Sequence, residues 1–246
     1  MMALRDVLRH PRALVRAAGF DVVRYTRERT LPAADARRLA AIRGCGVSVV
    51  IDVGAAGGDF GRRLRASGYH DEILSFEPLR ASFDALQRSA EGDPRWRVFH
   101  TALGDREETA EINVSGTSVS SSLLPMESLH VRTIPESAYV GRERVEVQRL
   151  DTLLSKLPDV GPGPYYLKAD VQGYESRVLD GAGETLKKVS AIELEVSMRT
   201  LYEGSPLYVE MLARLQALGF TLVSWEDVVI DPGTGFVLQA DCIFVI

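Results

Sequence analysis

The stretch Val47-Ser-Val-Val-Ile-Asp-Val-Gly-Ala-Ala-Gly-Gly-Asp-Phe60 decides the fold. Its first seven residues are rich in β-branched apolar side chains, the pattern of a strand buried on both faces of a parallel sheet. Gly54, Gly57 and Gly58 follow at once. Glycines at the end of such a strand let backbone pass close to a ligand, and the next helix offers free N–H groups at its start. Phe60 to Ala66 reads as that helix, closed by Gly68.

Working outward, strand and helix keep alternating. Ile73–Glu77 reads as a second strand, a helix carrying Phe83 and Leu86 follows, and Trp96–Leu103 reads as a third strand. Such alternation is the mark of right-handed crossovers in a parallel sheet. Ala110–Val114 and Val145–Leu150 read as strands either side of a Ser-rich stretch, Ser115 to Ser122, so residues 106–145 are expected to form a loop insertion over the sheet. A short helix over Leu150–Leu157 and a turn at Gly161-Pro-Gly-Pro164 lead to a strand at Tyr165–Asp170. A helix at Gly173–Asp180, a strand at Ala191–Val196 and an amphipathic helix at Pro206–Leu218 come next. Phe220–Ser224 and Gln239–Ile246 supply the last strands. The expectation is one α/β domain over residues 44–246, preceded by an Arg-rich helical extension over residues 1–43.

Composition bounds the function. At 246 residues and 27.0 kDa, with 46% apolar and 26% charged residues, the chain fits a folded domain and not a disordered one. No run approaches the ~18 apolar residues of a membrane span, and the N-terminus lacks a signal-like apolar core. Cys45 and Cys242 are 197 positions apart without metal-like spacing, so reduced thiols and a cytoplasmic protein are expected. Residues 1–43 hold ten Arg and four acids, a net of +6, which leaves −11 for the rest. That acidic body argues against broad nucleic-acid binding. The basic extension has Leu4, Val7, Leu8, Leu14, Val15 and Ala18 at helical spacing. It is expected to pack on the domain with a solvated Arg face, and peripheral contact with an anionic membrane surface stays open.

Two cofactor classes use a glycine turn of this kind. The dinucleotide fingerprint G-x-G-x-x-G seats a pyrophosphate on the helix start. Ala56 stands at its second glycine, where close approach is needed, and this disfavours an NAD-dependent oxidoreductase. S-adenosylmethionine has no pyrophosphate. Its sulfonium and ammonium are cations, so an acid beside the turn is favourable, and Asp52 supplies one. Glu77 ends the second strand 25 positions later and is suited to accept both ribose hydroxyls.

The motifs carry a family resemblance. Asp52-Val-Gly-Ala-Ala-Gly-Gly-Asp-Phe60, Ser75-Phe-Glu-Pro78 and Ala102-Leu-Gly-Asp105 resemble the first motifs of the FkbM-type methyltransferases. Arg149-Leu-Asp-Thr-Leu153, Leu167-Lys-Ala-Asp-Val-Gln-Gly-Tyr-Glu175 and Gly181-Ala182 are similar to later ones, as are Glu193-Leu-Glu195, Leu201-Tyr202 and Gly219-Phe220. The Lys-x-Asp-x-Gln-Gly-x-Glu run is the most specific. Ala169 departs from the pattern, which has a bulkier aliphatic side chain there. The resemblance covers residues 47–246. It implies the class I methyltransferase fold: a Rossmann-like seven-stranded sheet, mostly parallel with its last strand antiparallel, and helices on both faces. It also implies O-methylation, with S-adenosyl-L-methionine as cofactor and a sugar, glycan, glycolipid or natural-product hydroxyl as acceptor.

In an open α/β sheet the ligand lies beyond the carboxyl ends of the strands. On that edge Asp52, Gly54, Ala55, Gly57, Glu77, Pro78, Ala102 and Leu103 are the candidate cofactor residues, with Phe60 packed nearby. Asp170 and Glu195 are the catalytic candidates, expected to end neighbouring strands as base and orienting group. The same pair leaves a divalent cation open, held through oxygen. Glu193 shares a face with Glu195, and Lys168 with Asp170, where a structural ion pair is expected. Ser121 and Ser122 of the Ser-rich stretch, and His130, are candidates for the acceptor; His100 reads as a core histidine. A non-catalytic module of the same fold is the remaining alternative, and the intact acids argue against it.

Overall fold

The computed structural model describes residues 33–246. The expected features of the basic extension before residue 33 lie outside the described residues.

The elements follow the alternation closely at first: α1 (Ala33–Gly44), β1 (Val49–Val53), α2 (Asp59–Ala66), β2 (Glu72–Phe76), α3 (Arg80–Ala90) and β3 (Trp96–Phe99). Later come α4 (Ser128–Thr133), α5 (Leu150–Ser155), β7 (Tyr165–Ala169), α6 (Glu175–Asp180), β8 (Val189–Ser197), α7 (Tyr208–Ala217), β9 (Thr221–Ile230) and β10 (Val237–Val245). Seven strands form one sheet in the order β3-β2-β1-β7-β8-β10-β9. β1 is parallel to β2 and β7, β7 to β8, and β2 to β3, while β10 runs antiparallel to both β8 and β9. This is the expected seven-stranded, mostly parallel sheet whose last strand is antiparallel.

Alternation along each central strand sends side chains to two covered faces. Ile51, Leu167, Ile192 and Leu194 pack with Leu150, Val178, Met211 and Leu215 from α5, α6 and α7. Val50, Ile73 and Tyr166 pack on the other face with Ile42, Phe60, Leu64 and Leu86 from α1, α2 and α3. Each such side chain fully removed from water contributes about 1.5–3 kcal/mol before conformational entropy is set against it. Gly61 in α2 is required by this packing, because a Cβ there would lie 2.2 Å from the Trp96 ring.

Three expectations are corrected. Trp96–Leu103 is not one strand: β3 stops at Phe99, and Ala102–Leu103 forms β4 of a separate sheet. The expected strand at Ala110–Val114 is present, but the region over residues 106–145 is part of a sheet and not a loop insertion. β5 (Glu108–Ser115) and β6 (Tyr139–Gln148) pair antiparallel, β4 joins β6 in parallel, and Ile112, Val145 and Val147 close a small core with Leu79. The polar positions of β5 and β6 alternate outward, which made the region read as an exposed insertion. The last two strands also run further than expected, as a hairpin whose turn lies beyond Ser197 at the carboxyl edge of β8.

α1 straddles the expected boundary at residue 43. It lies on the sheet through buried Leu39 and Ile42, and its Arg38 is buried instead of solvated.

Candidate active site

The site grows out of a row of polar residues that cross one face of the sheet at a single level. Ser75, Asp52, Lys168 and Glu193 are register partners on β2, β1, β7 and β8. Trp96 Nε1 donates to Ser75 Oγ at 3.0 Å, and Ser75 Oγ donates to Asp52 Oδ2 at 3.1 Å. Lys168 Nζ lies 3.4 Å from Asp52 Oδ1, 3.6 Å from Asp170 Oδ2, and donates to the Gly54 carbonyl at 3.2 Å. Burial disfavours the Lys168 ammonium, yet Asp170 and Asp52, with Glu193 and Asp241 beyond them, outweigh it and hold its pKa above the ordinary value. Burial raises the pKa of Asp52, and the nearby ammonium and hydroxyl only partly offset this. At the far end of the row, Glu193 accepts from Arg38 Nε at 2.7 Å and from Tyr166 Oη at 2.5 Å, and also pairs with Arg38 through Oε1.

A cleft opens above this row, bounded by the β1, β2 and β7 ends and roofed by the second sheet; it holds about 700 Å³ of empty space including its mouth. Gly54 brings its two walls together: its φ is +76°, and a Cβ there would lie 1.9 Å from the Asp170 carbonyl oxygen. Any side chain would force β1 and β7 apart.

Glu77 forms the floor at the end of β2. Its Oε2 accepts from the Ala56 N–H at 2.8 Å and its Oε1 from the Leu79 N–H at 2.9 Å. Burial pushes its pKa up to about 7 against those two hydrogen bonds. Asp170 is the cleft's acid on the opposite wall, its side chain 37% exposed.

Of the residues singled out from sequence, Gly54, Glu77, Pro78, Ala102, Leu103, Ser121, Ser122 and Asp170 line the cleft. Asp52 does not; it is 0% exposed and sits beneath the glycine turn. Ala55 and Gly57 also sit behind the lining, Ala55 donating its N–H to the Phe76 carbonyl and Gly57 accepting from Ser89 Oγ. Phe60 is buried in the core, with the Arg38 guanidinium 5.0 Å and the Lys168 ammonium 5.5 Å from its ring centre. The Ser121 and Ser122 hydroxyls are engaged within the protein: Ser121 Oγ accepts from Ser115 N–H and Ser122 Oγ donates to the Gln172 carbonyl. His130 stands apart from the cleft, buried edge-on against Tyr202 with neither ring nitrogen hydrogen-bonded. Burial lowers its pKa and favours the neutral ring. His100 is exposed and stacks on Phe83, not a core residue.

Glu195 meets Asp170, but not as a free carboxylate facing the cleft. The Gln172 amide stands between them, donating at 2.8 Å to Asp170 Oδ1 and at 2.8 Å to Glu195 Oε2, which also accepts from Gln239 at 2.6 Å. An N–H donor thus occupies the point where a cation would have to sit, so the pair does not fit a metal. Among the described residues no group of three or more His, Cys, Asp or Glu is placed to hold one. Burial, with Asp170, Glu175 and Asp241 nearby, raises the Glu195 pKa well above the ordinary value.

Sequence reading missed Thr101, Ile112, Leu123, Gln172 and Tyr174 in the lining. Gln172 lay inside the most specific motif, and its neighbours gave the available signal. Ile112 and Leu123 had none, because they reach the cleft only through the second sheet.

Residues 52–222 match the family described as the Methyltransferase FkbM domain. The chain belongs to that family. Among curated proteins it is similar to the 2-O-methyltransferase NoeI of Sinorhizobium fredii, 28% identical over 163 residues, which span 63% of this chain and 66% of that one. Among solved structures it is similar to fibrillarin of Aeropyrum pernix with natively bound S-adenosyl-L-methionine, at 13% identity and a TM-score of 0.47, over 85% of this chain and 74% of that one. It is also similar to the precorrin-6y C5,15-methyltransferase of Geobacter metallireducens, at 10% identity and a TM-score of 0.45, over 91% and 93%. The family assignment rests on the match over residues 52–222 and owes nothing to these distant folds.

S-adenosylmethionine is the cofactor of this FkbM-family protein, and the cleft fits it. Gly54 lines the cleft at the end of β1, Glu77 would accept hydrogen bonds from the ribose hydroxyls, and Ala102, Leu103 and Pro78 would offer an apolar surface for the base. The family match sets the NAD reading aside. No helix among the described residues is long and apolar enough to cross a membrane.

Proposed function

We propose that the protein is an S-adenosylmethionine-dependent O-methyltransferase that methylates a hydroxyl of a sugar, glycan, glycolipid or natural product. The observation that carries this reading is the Asp170 carboxylate, partly exposed in the cleft beside the glycine turn and 3.6 Å from the Lys168 ammonium. When bound, the cofactor supplies an electrophilic methyl group on a cationic sulfur. This chain's own task is then to align a hydroxyl and ease the loss of its proton. Asp170 would accept a hydrogen bond from that hydroxyl and take its proton as the new C–O bond forms and the methyl–sulfur bond breaks, the electron pair leaving on the neutral thioether. Lys168 holds one carboxylate oxygen of Asp170 and the Gly54 carbonyl in fixed relation, which sets the distance between the two walls. Glu77 is assigned to the ribose hydroxyls. The similarity to a 2-O-methyltransferase supports oxygen as the acceptor atom.

The experiment is methyl transfer from labelled S-adenosylmethionine to a panel of methyl glycosides, oligosaccharides and hydroxylated natural products, combined with Asp170→Asn. That substitution keeps size and removes charge, so turnover should fall by about 10²–10⁴-fold while cofactor affinity changes much less. Asp170→Asn at the wild-type rate would remove the residue from the reaction. Absence of S-adenosylmethionine binding by calorimetry would overturn the cofactor assignment.

A further inference from the structure

We propose that Gln172 is a positioning residue of the methyl-transfer site: its side-chain amide fixes the Asp170 carboxylate and ties it to the Ser118–Ser122 segment that roofs the cleft. This rests on the reading of Asp170 given above.

Gln172 has a backbone φ of +56°, a left-handed conformation. For a residue other than glycine that conformation is strained, and it persists only where the surroundings hold it. Glycine would relieve the backbone at once, but it would supply no side chain. Every polar atom of that side chain is engaged. Nε2 uses both N–H groups, one on Asp170 Oδ1 and one on Glu195 Oε2, each at 2.8 Å. Oε1 accepts from the buried Tyr202 hydroxyl at 2.6 Å. The Tyr202 donor decides which way the amide points, since a flipped amide would set its oxygen against two carboxyl groups.

The backbone of Gln172 makes the second connection. Its carbonyl accepts from Ser122 Oγ at 2.7 Å, and Ser122 Oγ in turn accepts from the Leu124 N–H at 3.0 Å. Ser118, Val119, Ser121 and Ser122 all line the cleft. One residue therefore touches both the acid and the roof. Asp170 is gripped at both oxygens, Oδ1 by the amide and Oδ2 by the Lys168 ammonium. A carboxylate held at two points cannot swing away from an incoming hydroxyl, and alignment of this kind is worth up to ~10²-fold when it is lost.

The test compares Gln172→Leu, which keeps bulk and removes the amide, with Gln172→Asn, Tyr202→Phe and Asp170→Asn. The readouts are S-adenosylmethionine affinity by calorimetry, the Asp170 carboxyl carbon-13 resonance in cofactor-free protein, and kcat and KM for a methyl glycoside accepted in the panel. For Gln172→Leu the Asp170 resonance should shift. Its kcat should fall about 10–10²-fold with acceptor KM and cofactor affinity within about threefold. Gln172→Asn, which retains an amide, should recover part of that loss. Tyr202→Phe removes only the hydroxyl that orients the amide, so it gives the test if Gln172→Leu does not fold; it should lower kcat in the same direction. An unmoved Asp170 resonance, or a wild-type kcat in the folded Leu or Phe variant, would overturn the proposal. If Asp170→Asn is slow while Gln172→Leu is fully active, only the role of Gln172 falls. If Asp170→Asn is itself fully active, the underlying reading falls first.

Discussion

Over the central strands β1, β7 and β8 both faces of the seven-stranded sheet are buried, and they are built from opposite chemistry. Under α5, α6 and α7 every central position is apolar, from Ile51 through Leu167 to Leu194. Under α1, α2 and α3 the same strands carry Ser75, Asp52, Lys168 and Glu193 in one row, with Asp52 as fully buried as Leu167. The apolar face draws its stability from area removed from water and from close packing. The polar face is stable only while each charge keeps its partner, because an unpaired ion in a protein interior costs several kcal/mol. The row also lies close to the carboxyl ends of β1, β2 and β7, where Lys168 pairs with Asp170 at the cleft. A site needs charges that burial would otherwise forbid, and this face is where the fold has paired them.

The largest break in that comparison is expected at Arg38. Arg38→Met leaves Glu193 buried without its guanidinium and should cost about 3–5 kcal/mol in urea denaturation. Adding Glu193→Leu should recover part of the loss and not all of it, because Asp35, which also pairs with Arg38 at 2.6 Å, stays buried without the guanidinium. On the apolar face Leu194→Ala should cost about 2–5 kcal/mol through its cavity, and no partner substitution of this kind should restore it. A double variant no better than Arg38→Met alone would show that the polar row does not obey pairing.

A smaller effect sharpens the contrast by pH. Burial lifts the Glu77 pKa from about 4.5 to about 7. The folded protein therefore holds a proton that the unfolded chain releases. This contribution favours folding at low pH and is lost as pH rises from about 4.5 through about 7. Cofactor binding has the opposite sign, since ribose hydroxyls donate to the ionised carboxylate. Affinity for S-adenosylmethionine should rise with pH, by up to about tenfold per unit, and level off above about 7. Calorimetry from pH 5.5 to 8.5 checks it, and Glu77→Gln should flatten the slope. The smallest effect is expected for deletion of residues 1–30: among the described residues the cleft lining begins at Val53, and cofactor affinity should stay within about twofold.

Much of this was legible from residues close together in the chain. The strand–glycine–helix unit at Val47–Phe60 and the placement of Glu77 and Asp170 at strand ends follow from periodicity and turn chemistry over a few residues, while the seven-stranded, mostly parallel sheet was what the family resemblance implied. Only tertiary structure decided that Asp52 lies beneath the turn and that Gln172 stands between Asp170 and Glu195. The same holds for the second sheet roofing the cleft and for Arg38, which finds its partner 155 positions away at Glu193. The physical reason is range. Alternation of apolar and polar side chains reports which way a residue points from its own strand or helix. The partner of a buried charge is set by packing between elements distant in sequence, and no local pattern encodes it.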